Sequence, residues 1–186
     1  MHRREAVQYI TLLLGGTLVG ANSFLTGCKS ESGEKKAFDQ NDIAFLNEVG
    51  ETILPTTATP GAKAANVGLF MTVMVNDCYD AKDQKAFKEG MGKLNDAAKK
   101  KFDADFMKLT APQRHELLVG LDAEQKEFMK TKKEGEAAHY FRMMKELTLL
   151  GYFTSEIGSK QARRHVPVPG RYEGCIPYKK GDKAFA

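Results

Sequence analysis

Apolar residues recur at intervals of three and four along most of this chain, the spacing that places them on one face of an α-helix. Five successive stripes of this kind contain Phe45, Leu46, Val49, Ile53 and Leu54; Val67, Phe70, Met71, Met74, Val75 and Cys78; Phe87, Met91, Leu94, Ala98 and Phe102; Leu117, Leu118 and Leu121; and Phe141, Met144, Leu147 and Leu150. We therefore predict an all-α protein, a compact helical bundle of about five helices.

Capping residues and prolines predict where the first helices begin and end. Asp39 or Asn41 can cap the first helix, and Pro55 ends it. Residues 55–62 carry two prolines and a glycine, so they are predicted to form an ordered, turn-rich loop. Asn66 is the predicted cap of the second helix.

The sequence predicts the third, fourth and fifth helices less uniformly than the first two. Gly90 and Gly92 lie inside the third stripe, where each weakens a helix by ~1 kcal/mol relative to alanine. Residues 110–113 match a capping box with proline in the first turn and mark the start of a fourth helix. A last long helix is predicted from about Glu136, and residues 126–133 form either a separate helix or a connection.

The composition changes after Gly158. Residues 166–178 contain three prolines and two glycines, which no helix or central strand tolerates. We predict an extended Pro/Gly-rich C-terminal arm that begins at about residue 159. Its apolar and aromatic side chains need a surface to pack on, either the protein's own bundle or a partner.

The overall composition is that of a globular protein, with 42% of the 186 residues hydrophobic and 28% charged. This excludes collagen-like, low-complexity and wholly disordered chains. The formal net charge of +4 falls to +3 when the first 27 residues are left out, because the remaining chain has 26 Lys and Arg and 23 Asp and Glu. Charges of both signs are interspersed, which is not the balance of a nucleic-acid-binding protein.

Residues 1–27 are typical of a cleaved export signal. Arg3 and Arg4 precede an apolar stretch of at most ~18 residues that glycines dilute, which suits a signal better than a membrane span. The stretch ends in residues 25–28, Leu-Thr-Gly-Cys, which resemble the bacterial lipoprotein box. Cys28 is therefore the predicted lipid anchor, with an uncleaved membrane anchor and an incidental cysteine as the alternative.

The pair Arg3 and Arg4 also resembles a twin-arginine signal, which exports folded proteins. Ala6 stands where that pattern usually has a large apolar residue, so the general secretory route stays open as well. Residues 28–38 are predicted to form a polar tether, and residues 39–186 are predicted to form a single helical domain with its arm. The expected location is the cell envelope, with the protein lipid-anchored to a membrane and facing the periplasm.

The sequence lacks a Gly-rich phosphate loop after a strand, a haem-attachment motif and a His/Cys pair at metal-binding spacing. We therefore assign no catalytic, cofactor-binding or metal-binding residue. Cys78 and Cys175 remain after lipidation, and export implies an oxidising compartment. They can pair with each other, pair with a partner subunit, or stay as free thiols.

Three motifs in order carry a family resemblance. They are ILPTTATPGA at residues 53–62, GYFTSEIG at residues 151–158 and PGRYEGCIP at residues 169–177. Together they resemble gluconate 2-dehydrogenase subunit 3, over about residues 40–178. The resemblance implies a small subunit of a membrane-associated complex whose large subunit is a flavoprotein of the glucose-methanol-choline type. That partner would carry FAD and oxidise gluconate or a related sugar, and a c-type cytochrome subunit with haem would pass electrons onward.

This resemblance implies that the chain supports assembly, export and anchoring of the flavoprotein and is not an enzyme by itself. The expected partner contacts are Thr59, Pro60 and Gly61 in the loop, and Tyr172, Ile176 and Tyr178 in the arm, since aromatic side chains give large contact areas. The alternative is a stand-alone envelope lipoprotein that binds a ligand or another protein.

Overall fold

The structure is a computed structural model that describes residues 38–168, 170–172 and 174–185. The predicted export signal with Arg3 and Arg4, and the predicted lipid anchor Cys28, lie outside the described residues. The α-helices are α1 (Gln40–Ile53), α2 (Val67–Cys78), α3 (Ala81–Phe102), α4 (Ala111–Thr131) and α5 (Tyr140–Thr154). A 3₁₀ turn spans Phe106–Lys108, and a π-helical turn spans Gly158–Ala162. The prediction of an all-α bundle is confirmed.

Helix α5 is the centre of the bundle, since it packs against each of the other four helices. Its inward face is formed by Phe141, Met144, Leu147 and Thr148, all buried. The other helices contribute one buried stripe each, including Leu46, Met71, Leu94 and Leu118. These stripes form one hydrophobic core around α5. No helix of the described chain is both long and apolar enough to cross a bilayer.

Two of the predicted inward residues face solvent instead. Leu150 is 46% exposed, and Cys78 is exposed at the end of α2. In α5 the inward position belongs to Gly151, where an added Cβ would lie 2.5 Å from Cδ1 of Phe70. The periodicity predicts the wrong face for Leu150, because the inward position is a glycine, which carries no hydrophobic signal of its own.

The predicted N-cap residues lie at the starts of their helices, but not all of them form the side-chain hydrogen bond that a cap provides. Asp39 caps α1, and it forms a reciprocal capping box with Asp42. Asn66 precedes α2 in a left-handed conformation with φ 51° and makes no side-chain cap bond. Its side-chain oxygen instead accepts a hydrogen bond of 3.1 Å from Asn47 on α1. Asn66 therefore joins two helices, whereas the prediction made it a local cap.

The boundary between α4 and α5 differs from the prediction. Helix α4 continues through Thr131, so residues 126–131 are neither a separate helix nor a connection. Helix α5 begins at Tyr140, four residues after the predicted start at Glu136. His139 is the N-cap, and its Nδ1 accepts a hydrogen bond of 3.3 Å from the backbone of Phe141. A histidine in this position is not one of the preferred capping residues, so the sequence offered little indication of the start.

Gly90 has a packing role that its helix propensity conceals. It is buried where α3 meets the start of α5, and an added Cβ would lie 2.2 Å from Cβ of Tyr140. Gly92 lies two residues along the same helix and has open space around it. The two glycines therefore differ in their structural effect. Gly90 permits the close approach of two helices, whereas Gly92 only weakens α3.

A polar network joins α1 to α4. Arg114 donates to the carbonyl oxygens of Phe106 (3.1 Å) and Met107 (2.8 Å) and to the carboxylate of Glu48 (2.5 Å). Lys63 pairs with the other oxygen of Glu48. Burial alone would raise the pKa of Glu48, but the hydrogen bonds and charges of Lys63 and Arg114 outweigh it and hold that pKa below its usual value.

A second ion-pair network joins α4 to α5. Asp122 accepts hydrogen bonds from Lys126 (2.7 Å) and Lys145 (2.6 Å). These bonds lower the pKa of Asp122 to about 2. Because Lys145 belongs to α5, the carboxylate links the central helix to its neighbour through a charge-assisted bond.

Candidate functional site

The first sequence motif, residues 53–62, forms a loop that is organised by a carboxylate from the preceding helix. Glu51 accepts hydrogen bonds from the backbone (2.8 Å) and the hydroxyl (2.8 Å) of Thr56 and from the backbone of Lys63 (3.0 Å). The hydroxyl of Thr56 in turn accepts a bond of 3.0 Å from the backbone of Gly61. The loop is therefore ordered, as its prolines and glycine predicted.

Gly61 is buried inside this loop. An added Cβ would lie 2.4 Å from the carboxylate of Glu51 and 2.6 Å from the backbone nitrogen of Thr56, so only glycine fits. Thr59 and Pro60 are half-buried, whereas residues 55–58 are exposed. Among the three predicted contact residues of the loop, Gly61 thus has a structural role, and the accessible part of the loop is its tip.

The second motif, residues 151–158, lies against the first. The hydroxyl of Tyr152 donates a hydrogen bond of 2.7 Å to the carbonyl oxygen of Pro60, a contact across 92 residues of sequence. Gly158 is packed so tightly that an added Cβ would lie 1.9 Å from the carbonyl oxygen of Tyr152. The bond between Tyr152 and Pro60 thus brings the two motifs together where α1 and α5 both end.

The arm leaves this end of the bundle through the π-helical turn. Arg163 donates to the carbonyl oxygen of Phe153, and its guanidinium carbon lies 5.3 Å from the centre of the Phe153 ring. The hydroxyl of Ser159 donates to the same carbonyl (3.2 Å). These contacts attach the start of the arm to the last turns of α5.

The remainder of the arm exposes large apolar and aromatic side chains. Tyr172 is 95% exposed, Tyr178 75%, Val168 81% and Ile176 45%. Isolated exposed apolar residues are ordinary, but several within one short segment are typical of an interaction surface. The alternative that the arm packs its aromatic residues on its own bundle is therefore wrong for these tyrosines.

The arm folds back to form a groove of about 910 Å³ against the π-helical turn. Basic side chains line it, with Lys160, Arg163, Arg164 and Lys183 prominent among them. The backbone of Arg164 donates a hydrogen bond of 2.8 Å to the carbonyl oxygen of Ala184, and an isolated bridge pairs Arg164 with Phe185. No local sequence pattern indicates this groove. The charge count by segment indicates only that its region is basic, because residues 159–186 contain seven Lys and Arg but two Asp and Glu.

The two cysteines lie on different parts of the fold. Cys78 is at the end of α2, where its thiol lies 3.9 Å from the sulfur of Met74, and Cys175 is on the arm. Both are free and exposed. Pairing between them, or with a partner, stays a prediction.

Burial disfavours the charged forms of two neighbouring titratable groups in the bundle. Burial lowers the pKa of His139, although the nearby Glu124 opposes the shift. Burial, with a contribution from the charge of Glu124, raises the pKa of Tyr140 to about 12. The two rings stack with their centres 4.5 Å apart in the core. Within the described residues, no group of three or more His, Cys, Asp or Glu side chains is placed to hold a metal ion.

Comparison with known proteins gives one finding. The family model described as gluconate 2-dehydrogenase subunit 3 matches residues 40–170. The matched range includes the first two motifs and ends within the third. No curated protein and no solved structure matches the chain.

Proposed function

This chain belongs to the gluconate 2-dehydrogenase subunit 3 family, a family of dehydrogenase-complex subunits, and on that premise we propose that it is a non-catalytic accessory subunit. Its partner in this proposal is a flavoprotein of the glucose-methanol-choline type that carries FAD and oxidises gluconate or a related sugar. The small subunit supports assembly, export and anchoring of that flavoprotein. A c-type cytochrome with haem is the further subunit that accepts the electrons.

The observation that carries the partner role is the exposure of the arm. Tyr172 is almost entirely accessible in the isolated chain, Tyr178 is three-quarters exposed, and Ile176 is about half exposed. Burial of apolar area contributes roughly 25 cal/mol per Å², and an aromatic side chain buries 150–250 Å², roughly, in an interface. Two tyrosines and an isoleucine that gain a partner surface therefore provide a substantial part of the free energy of a stable complex.

The proposed route to the envelope depends on the N-terminal residues. Arg3 and Arg4 direct the folded pair of subunits to twin-arginine export, and Cys28 receives the lipid that holds the complex on the membrane facing the periplasm. A flavoprotein that folds around FAD before export and has no signal of its own would travel as cargo.

The test is purification of the tagged chain from its native membrane in mild detergent, followed by an absorbance scan and mass spectrometry of the co-purifying chains. We expect a large chain with flavin absorbance, and haem absorbance where the cytochrome is retained. A colourless chain that purifies alone would contradict the proposal and favour the stand-alone lipoprotein.

Two sets of variants separate binding from export. Replacing Tyr172 and Tyr178 with serine should reduce the recovered flavin, whereas Val119→Ser, at a 55% exposed apolar position on α4, should leave it unchanged. Replacing Arg3 and Arg4 with lysine should leave both subunits in the cytoplasm as a complex. Unchanged export of the lysine variant would indicate the general secretory route.

A further inference from the structure

The two parts of this chain carry opposite net charge. Residues 39–158 contain 16 Lys and Arg against 19 Asp and Glu, a net charge of −3, whereas residues 159–186 contain seven against two, a net charge of +5. The bundle is thus slightly acidic, and the C-terminal segment is strongly basic. Such a separation of charge within a small protein is a feature of surfaces that select an oppositely charged partner.

The groove collects much of this positive charge, and three of its cations have no carboxylate partner among the described residues. On the bundle, most basic side chains near the core have a carboxylate partner, as Arg114 has in Glu48 and Lys145 has in Asp122. In the groove, Arg163, Arg164 and Lys183 have no carboxylate within 4.0 Å among the described residues, and the ion pairs found there do not include them.

The acidic residues beside the groove offset only part of this charge. Glu156 pairs with Lys160 at 2.7 Å on the solvent side of the turn. Asp182 lines the groove, but one of its oxygens accepts a hydrogen bond of 2.8 Å from the backbone of Lys179 in a turn. Among the described residues, Arg163, Arg164 and Lys183 therefore have no carboxylate as an ion-pair partner.

The groove cations are held in position before any partner arrives. The guanidinium of Arg163 lies over Phe153, and that of Arg164 lies over the ring of Phe185 with 4.9 Å between its central carbon and the ring centre. Lys183 donates from its Nζ to the carbonyl oxygen of Gln161. The Nε of Arg163 is buried and has no acceptor among the described residues. Fixed side chains lose less conformational entropy on binding, so this arrangement favours a specific contact.

The shape and lining of the groove distinguish between anionic partners. It is concave, and apolar surface from Ile176 and Phe185 lies beside the cations. A bilayer presents a broad surface that meets convex protein surfaces, whereas an extended peptide fits a groove. Its volume of about 910 Å³ is also large enough to hold several residues of a peptide.

We propose that this groove, between the π-helical turn and the end of the arm, is the docking site for an acidic extended segment of the partner flavoprotein. The inference rests on the proposed function and adds the chemistry of the contact. Arg163, Arg164 and Lys183 bind the carboxylates of that segment, and Ile176 and Phe185 contact its apolar side chains. Tyr178 also lines the groove, and Tyr172 then binds outside it.

The experiment compares charge-reversal variants of the full chain. The test variant carries Arg164→Glu and Lys183→Glu, and a matched control carries Lys100→Glu and Lys133→Glu, which make the same change of charge at exposed positions of the bundle region. A neutral variant, with Arg164→Gln and Lys183→Gln, keeps the test valid if the reversal disturbs folding. Circular dichroism checks the helical content of each protein.

The readout is the affinity for the flavin-carrying chain that the wild-type protein co-purifies, stripped from it in high salt and then added back. We expect the reversal variant to bind at least ~10-fold more weakly than wild type, the neutral variant to lie between them and the control to match wild type. The difference should shrink as the salt concentration rises, because screening removes exposed charge interactions beyond ~8 Å at physiological ionic strength.

The other outcomes overturn the inference in distinguishable ways. If the flavin-carrying chain co-purifies and the reversal variant binds it as tightly as wild type, the groove is not the docking site but the accessory-subunit proposal stands. If the reversal variant instead loses binding to vesicles that contain phosphatidylglycerol while it keeps the flavoprotein, the groove binds lipid headgroups. If wild type yields no flavin-carrying chain at all, both proposals fail.

Discussion

The contact between Gly90 and Tyr140 allows a prediction that reverses the usual effect of a helix substitution. Replacing an interior glycine of a helix with alanine normally stabilises by ~1 kcal/mol. At Gly92, where nothing lies within 4 Å of an added Cβ, we expect that gain. At Gly90 the new methyl group would lie 2.2 Å from Cβ of Tyr140, so α3 and α5 must separate.

The distance by which α3 and α5 must separate determines how much stability Gly90→Ala costs. Carbon atoms in contact prefer about 3.5–4.0 Å, so a separation of 2.2 Å must open by about 1.5 Å. Forcing extra volume into a well-packed core costs ~1–3 kcal/mol, and the upper part of that range applies because both atoms lie next to the backbone. After the gain in helix propensity, Gly90→Ala should lower the free energy of unfolding by ~2 kcal/mol.

Chemical denaturation and thermal unfolding of the two variants provide the test. Gly92→Ala should raise the melting temperature by about 2–4 °C, and Gly90→Ala should lower it by about 4–8 °C, given about 2–4 °C per kcal/mol for a chain of this size. Tyr140→Phe should not rescue Gly90→Ala, because the clash involves Cβ and not the hydroxyl. If both alanine variants stabilise the protein equally, the close approach of α3 and α5 is wrong.

Three further predictions concern polar contacts. Arg114→Ala should lower the free energy of unfolding by ~3 kcal/mol in urea titration, because it leaves the carboxylate of Glu48 with less compensation; a loss under ~1 kcal/mol would mean that the network contributes little. Tyr152→Phe should cost ~1 kcal/mol and speed proteolysis of the loop at Pro60, whose carbonyl oxygen loses its donor; unchanged cleavage would show that other contacts hold the loop. Because the pKa of Asp122 is lowered to about 2, its ion pairs stabilise the protein above pH ~4 and are lost as the pH falls toward 2. Asp122→Asn should therefore lower the free energy of unfolding by ~1 kcal/mol at pH 7 and change it little at pH 2. A difference that stays constant over this pH range would contradict that assignment.

The first motif shows that a loop residue can have a structural role that the sequence does not reveal. The position of Gly61 in a loop of a recognised motif predicts a partner contact, and that contact stays a prediction. In the structure Gly61 is buried against Glu51, a residue ten positions earlier that no sequence pattern connects with it. Loop composition indicates a turn, but it does not indicate which side of the turn is packed.

The sequence by itself determined the class of fold, most helix starts and the family, because these depend on local periodicity, capping chemistry and motifs that are contiguous in the chain. It also predicted an arm that needs a surface, from the prolines after Gly158. The tertiary structure alone decided that Gly90 is a contact point between helices, that Tyr152 joins two distant motifs, and that the basic residues at both ends of the arm meet in one groove. Each of these depends on distances between residues far apart in sequence, and such distances are set by packing around the core and leave no local pattern.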